Sequence, residues 1–271
     1  MFKENCTVLD NRKVAPGHWV IRFNSGAIAK AARPGQFVQI LCTHDSFDPL
    51  LPRPFSFLDA NGGEFSILYH AVGRGTVLLS KVKRGDSLSV VGPLGNGFSP
   101  EPGAKNPGLK VLIGGGVGIP PLFHLAGAWL KKKIVKNENI HVFLGARNKS
   151  LLLCEKEFKK LGVRLNVSTD DGSKGSKGFI TASLTHFLQA HSSDSRPHLY
   201  ACGPTPMLKV VSAIALRSKV PCDISVEVPM ACGFGACLGC AIKVRGEGTG
   251  HRFAVACTEG PVFQASEIVW D

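Results

Sequence analysis

The sequence predicts an α+β multidomain chain: an antiparallel β unit over residues 1–100, a doubly wound parallel α/β unit over 101–221 and a small cysteine-rich unit over 222–271. Short Val/Ile/Phe-rich runs parted by Pro, Gly and Asp fill the first hundred residues, and strands alternate with helices from Leu109 onward. Four of the nine cysteines crowd into the 26 residues from Cys232 to Cys257. At 271 residues the chain has room for two domains or three small ones. Hydrophobic residues at 44% and charged residues at 19% exclude disordered, collagenous and coiled-coil classes.

The N-terminal stretch MFKENCTVLDNRKV mixes charges of both signs and lacks the apolar core of a signal peptide, so export is not expected. Nine cysteines in such a chain point to reduced thiols in the cytoplasm, used for metal or redox chemistry. The runs HWVIRF, GQFVQIL, EFSILYHAV and DSLSVVGP read as the strands of the first unit. In LPRPFSF, two prolines stiffen a strand around Arg53, whose forked guanidinium suits a phosphate, and Ser56 adds a hydroxyl; a solvated surface strand is the plainer alternative. Gly75 and Thr76 precede an apolar run and open a short helix, with Thr76 as its cap and free N–H groups for an anion.

SPEPGAKNPG, residues 99–108, has the proline and glycine content of a linker and sets the first boundary. Val111 to Leu130 holds no charged residue for 20 positions, but Gly114, Gly115, Gly116, Gly118, Pro120 and Pro121 break it into a strand, a turn and a buried helix rather than a membrane span. A glycine turn between strand and helix lets a pyrophosphate approach the helix N–H groups, which makes Gly114, Gly116 and Gly118 dinucleotide candidates; a purely structural turn is the alternative. Helices are expected over 122–133, 151–161, 181–190 and 206–218, and strands in IHVFLGA, VRLNVST and HLYACG. The last strand ends at Cys202-Gly203-Pro204, so this loop faces the same crevice as the glycine turn, with Cys202 either a nicotinamide neighbour or a strand-end filler. Arg147, after a strand, is a further phosphate candidate that exposed arginines often mimic.

After Pro221 the charge changes sign: three basic residues face six acidic ones, leaving +15 on the first 221 residues. The net +12 comes without any helix-turn-helix, zinc-finger or ribonucleoprotein signature and reads as solvated surface rather than a nucleic-acid face. Cys232, Cys237, Cys240 and Cys257 follow C-x4-C-x2-C-x16-C, the order of a plant-type [2Fe-2S] centre, with Gly233, Gly235 and Gly239 free to curl round an inorganic core. Structural zinc and a disulfide are the alternatives; zinc ribbons usually pair two C-x2-C knuckles and here there is one. AIKVRG and RFAVAC flank the turn at 246–250 and bring Cys257 back on a hairpin. Cys222, Cys6, Cys42 and Cys154 read as packing.

Together these regions resemble the ferredoxin reductase-like flavoproteins, and nearly the whole chain resembles the electron transfer subunits of class 1B dihydroorotate dehydrogenases. The family's flavin motif R-P-x-S matches Arg53-Pro54-Phe55-Ser56, its second flavin segment Leu68-Tyr69-His70 and its G-T pair Gly75-Thr76. The glycine turn at 114–121, the Cys202-Gly203-Pro204 loop, the four cysteines and the closing Gly260-Pro261-Val262-Phe263 match as well. Two departures stand out: His70 replaces a frequent arginine, and the last cysteine gap is slightly long. The resemblance implies that the first unit is an FAD-binding barrel, the second binds NAD and the third holds [2Fe-2S]. It further implies a hetero-oligomer with an FMN-containing dihydroorotate dehydrogenase catalytic subunit, electrons crossing the cluster and FAD to NAD+ in pyrimidine biosynthesis, and no side chain here acting as general base. A reductase subunit serving ferredoxin, hydrogenase or another acceptor is the second reading, and a zinc-bearing binding module the third.

Overall fold

The computed structural model describes residues 1–43, 48–99, 108–191, 197–248 and 250–270. Most of the expected linker, residues 100–107, and Thr249 of the hairpin turn lie outside them. Six antiparallel strands, β1 (Phe2–Ala15), β2 (His18–Asn24), β3 (Phe37–Ile40), β4 (Arg53–Asn61), β5 (Glu64–His70) and β6 (Ser87–Leu94), close into a barrel in the order β1-β2-β5-β4-β3-β6. Closure leaves no strand edge unpaired. Cys6, Val8, Ile21, Phe23, Val38, Ile40, Phe57 and Phe65 fill its interior, each alternating with an outward neighbour as the two-residue period of a strand requires. The long β1 was hidden in the sequence by the charges on its outward positions. The barrel's connections hold helices α1 (Gly26–Ala31) and α2 (Arg74–Leu79).

The second unit runs β7 (Lys110–Gly115), α3 (Ile119–Lys131), β8 (Ile140–Ala146), α4 (Glu155–Lys160), β9 (Arg164–Thr169), β10 (Ser176–Lys177), α5 (Ile180–Ala190), β11 (His198–Cys202), α6 (Thr205–Arg217) and β12 (Cys222–Ser225). Three strands remain: β13 (Ala241–Arg245), β14 (His251–Val255) and β15 (Val262–Gln264). The large sheet has the order β10-β9-β8-β7-β11-β12-β15, all parallel but for β15 against β12. Strand order reverses between β7 and β11, which opens a crevice at their carboxyl ends. Along β7, Val111 and Ile113 pack toward α5 and α6 while Leu112 packs toward α3, so the strand is apolar on both faces.

The structure corrects two expectations. Helix α3 starts at Ile119 rather than Leu122, because Pro120 and Pro121 fit the first helical turn with their fixed φ. The helix expected over 151–161 shrinks to α4, preceded by a single 3₁₀ turn at Lys149–Leu151 and by Cys154 in the left-handed region at φ 57°. Strands β12 and β15, which flank the clustered cysteines, complete the nucleotide sheet, with Cys222, Ile224 and Phe263 in the same apolar layer as Val111 and Leu199. Pro221 ends the α6 connection, and the apolar run that follows is short enough to be a buried parallel strand. Among the described residues no helix is long and apolar enough to cross a membrane.

Candidate functional site

A cleft of about 470 Å³ lies where the barrel, the glycine turn and the start of the cysteine segment meet. That volume is within the ordinary range for a bound organic cofactor. Strand β4 supplies Pro54, Phe55 and Ser56, and β5 supplies Leu68, Tyr69 and His70, so the two segments singled out in the sequence form adjacent parts of one wall. Tyr69 donates its hydroxyl to Asn11 Oδ1 at 3.0 Å, and Asn11 in turn donates to the Leu79 and Val82 carbonyls at 2.9 Å, tying α2 to the barrel. His70 stacks on His18 with centroids 4.2 Å apart; burial first and His18 second push its pKa down, so a neutral imidazole stands where the resemblance led one to look for arginine.

Arg53 is not itself a wall of the cleft. Its Nη1 donates to the Leu51 carbonyl at 2.7 Å, and its side chain runs beside Gly75, where an added Cβ would lie 3.5 Å from Nε. Arg53, Gly75 and Thr76 therefore gather on one side of the barrel, although Thr76 is the third helical residue rather than the cap. The cap is Gly73, and Thr76 Oγ1 accepts the N–H groups of Val72 and Gly73 at 3.0 and 3.1 Å. That hydroxyl secures the loop instead of releasing donors.

The opposite wall comes from Val117, Ser225 to Met230 and Pro261, with Phe37 from β3. Val117 and Pro261 fall within motifs quoted from the sequence, whereas Phe37 and the run from Ser225 to Met230 carried no sequence signal for the site. Above Gly116, at φ +57°, an added Cβ would meet nothing within 4 Å, so the turn leaves open space. Gly118 is the reverse case: a Cβ there would sit 2.6 Å from the Cys202 carbonyl carbon. The glycine turn and the Cys202-Gly203-Pro204 loop are thus in direct contact, as the switch point requires. Pro120 and Pro121 remove two N–H groups from the first turn of α3, so the helix offers an anion fewer donors than the glycine pattern alone suggests. Cys202 is 1% exposed, does not line the cleft, and burial pushes its thiol well up.

The four clustered cysteines are linked: Cys232 interacts with Cys237, and Cys257 with both Cys240 and Cys232. Burial pushes the Cys232 thiol up, but the N–H groups of Phe234, Cys237 and Ala236, aimed at its sulfur, pull it down to about 6. Burial and the Cys240 thiol raise Cys257 to about 12. Gly233 at φ +80° and Gly235 at φ +91° supply the tight curl. Four linked thiols with backbone N–H groups aimed at the Cys232 sulfur suit a two-iron core, in which each iron takes two thiolates. Cys237 is exposed while Cys240 and Cys257 are buried, which leaves the Cys237 side of the group open to the surface.

Comparison with known proteins agrees with this geometry. Residues 227–269 match the iron-sulfur cluster binding domain of dihydroorotate dehydrogenase B, and residues 112–213 match the oxidoreductase NAD-binding domain. The dihydroorotate dehydrogenase B (NAD(+)) electron transfer subunit of Caldanaerobacter subterraneus subsp. tengcongensis is 39% identical over 269 residues, 99% of either chain. The subunit of the same name from Geobacillus sp. is 37% identical over 271 residues, again 99% of either chain. Among solved structures, an NADH-dependent reduced ferredoxin-NADP oxidoreductase studied for flavin-based electron bifurcation is 32% identical, with a TM-score of 0.83 over 98% of this chain and 90% of that one. A ferredoxin NADP+ reductase from Neisseria gonorrhoeae with bound FAD and NADP shares the fold at 16% identity, with a TM-score of 0.66 over 80% of this chain and 91% of that one.

Proposed function

The chain belongs to the family of dihydroorotate dehydrogenase B (NAD(+)) electron transfer subunits, and on that premise we propose that it carries electrons from the FMN of a separate dihydroorotate dehydrogenase catalytic subunit to NAD+ in pyrimidine biosynthesis. Its cofactors are FAD, a [2Fe-2S] cluster and NAD. A nicotinamide exchanges two electrons as hydride and an iron–sulfur centre one at a time, and FAD supplies the conversion between them. The observation that carries the reading is the meeting of three segments at one cleft: the R-P-F-S strand, the glycine turn and the segment that leads directly into Cys232.

In this reading Pro54, Phe55, Ser56, Leu68, Tyr69 and His70 hold the flavin ring against the barrel, and Arg53 with Gly75 and Thr76 holds its phosphates. Gly114, Gly116 and Gly118, with Cys202, Gly203 and Pro204, seat the nicotinamide nucleotide in the crevice. Cys232, Cys237, Cys240 and Cys257 ligate the cluster. The protein positions these groups and keeps water from the cleft with Phe37, Val228 and Met230; no side chain is asked to move a proton. The three working units follow the proposed division 1–100, 101–221 and 222–271, with the last unit's flanking strands built into the sheet of the second. In this reading the chain works in a reducing compartment, the cytoplasm, with which its nine cysteines are compatible.

The test is a visible spectrum and metal analysis of the purified chain, followed by mixing with an FMN-bearing catalytic subunit. Flavin and iron–sulfur absorption are expected, and dihydroorotate should bleach the bound flavin only when the partner is present. A colourless, zinc-containing preparation would defeat the reading. The similarity to a ferredoxin-linked oxidoreductase favours one alternative acceptor. Bleaching driven by reduced ferredoxin but not by dihydroorotate and partner would select it.

A further inference from the structure

A side chain on barrel strand β3 reaches the cysteine loop, and its amide has no hydrogen-bond partner. Gln39 lies two residues after Phe37 on β3, so both project outward from a barrel whose interior receives Val38 and Ile40. Phe37 lines the cleft, and Gln39 pairs in register with Pro54 of the flavin segment. Gln39 is 1% exposed, yet neither its Nε2 nor its Oε1 has a hydrogen-bond partner. Native interiors keep few such amides, because burial strips their water without replacing it, and each exception asks for a partner. What faces Gln39 is Gly233, the residue after Cys232: a Cβ there would lie 2.7 Å from Gln39 Nε2 and 2.7 Å from Cγ. Gly233 is held at φ +80°, so this position both turns the loop and admits the amide.

We infer that Gln39 donates an N–H hydrogen bond to sulfur at the Cys232 side of the [2Fe-2S] cluster, making a barrel residue part of the cluster's environment and a fixed contact between flavin strand and cluster loop. The inference rests on the proposed function, since it requires the four cysteines to hold a cluster. Reduction adds negative charge to the cluster's sulfurs, so a donor there favours the reduced form and raises the potential. Backbone N–H groups within the loop do the same locally; Gln39 is the contribution from outside it.

The test uses the full chain loaded with FAD and cluster. In wild type labelled with ¹⁵N at glutamine side-chain amides, pulsed EPR of the reduced cluster is expected to show a nitrogen coupling that changes with the label and vanishes in Gln39→Leu. In redox titration, Gln39→Leu should lower the cluster's reduced-to-oxidised ratio at a fixed potential at least threefold, and Gln39→Glu further, with the flavin's own titration unmoved. Absence of any labelled coupling in wild type would overturn the inference even if the variants fail to fold, and so would an unmoved cluster titration in a folded Gln39→Leu. A chain that takes up no cluster at all fails differently: it shows no iron–sulfur absorption, and the proposed function falls with it.

Discussion

Gly118 and Cys237 show how differently two site residues respond to change. At Gly118 the nearest obstacle is the backbone at Cys202 and Gly203, which cannot swing aside as a side chain would. Gly118→Ala should therefore destabilise the chain by about 1–3 kcal/mol, the usual cost of overpacking, and weaken NADH binding, as read by urea unfolding and by titration with NADH. Cys237 is exposed, so Cys237→Ser creates no buried defect. It should leave NADH-to-flavin transfer in place and abolish delivery between flavin and partner, which stopped-flow absorbance separates. The roles of these two residues could be anticipated from motif spacing, because loop glycines and clustered cysteines are local signals. Gln39 could not: nothing in FVQI marks its glutamine, and its meaning comes only from facing Gly233 across 194 positions of sequence.

At the scale of elements, β12 and β15 decide how the cysteine unit is attached. Strand β12 adds to β11 in parallel through Leu199, Tyr200, Ala201 and Cys202, and β15 covers its far edge through Ile224 and Phe263. A chain ending at Pro221 would expose the edge of β11 and the apolar layer beneath it. Such a fragment should self-associate on size-exclusion chromatography, since an unprotected edge beside buried apolar surface recruits other strands. The succession of apolar strand runs and helices made β7, β8, β9 and β11 readable in the sequence, and β7, buried along its whole length, is close to a continuous apolar run. Strand β12 was not assigned to that sheet, because four residues beside a proline and a cysteine-rich tail carry too little pattern to declare their neighbour.

Across the whole molecule, the barrel and the nucleotide unit are pressed together along α3. His124 of that helix is buried, meets the ring of Phe57 from the barrel interior at 6.2 Å, and has no hydrogen-bond partner for Nδ1. Burial pushes its pKa down to about 4, against 6.5 when exposed. Between those values the unfolded chain binds a proton that the folded chain refuses, so stability falls as pH drops through 6.5 and stops falling below about 4. The loss amounts to roughly 3 kcal/mol, since each pH unit between the two values contributes about 1.4 kcal/mol. Urea unfolding at pH 7, 5.5 and 4.5 should show a slope of this sign, and His124→Leu should reduce it while leaving the share of His141, whose pKa burial also lowers to about 4. The sequence by itself determined what depends on neighbours along the chain: the alternation of strands and helices, the glycine turn, the R-P-F-S strand and the C-x4-C-x2-C…C series, since each is a local periodicity or spacing with a direct geometric meaning. The tertiary structure alone decided which of these share a cleft, that a barrel glutamine meets the cysteine loop, and that a helix histidine seals the contact between two units. Those outcomes depend on barrel closure and strand order, which bring residues together from opposite ends of the chain and leave no trace in any short window of it.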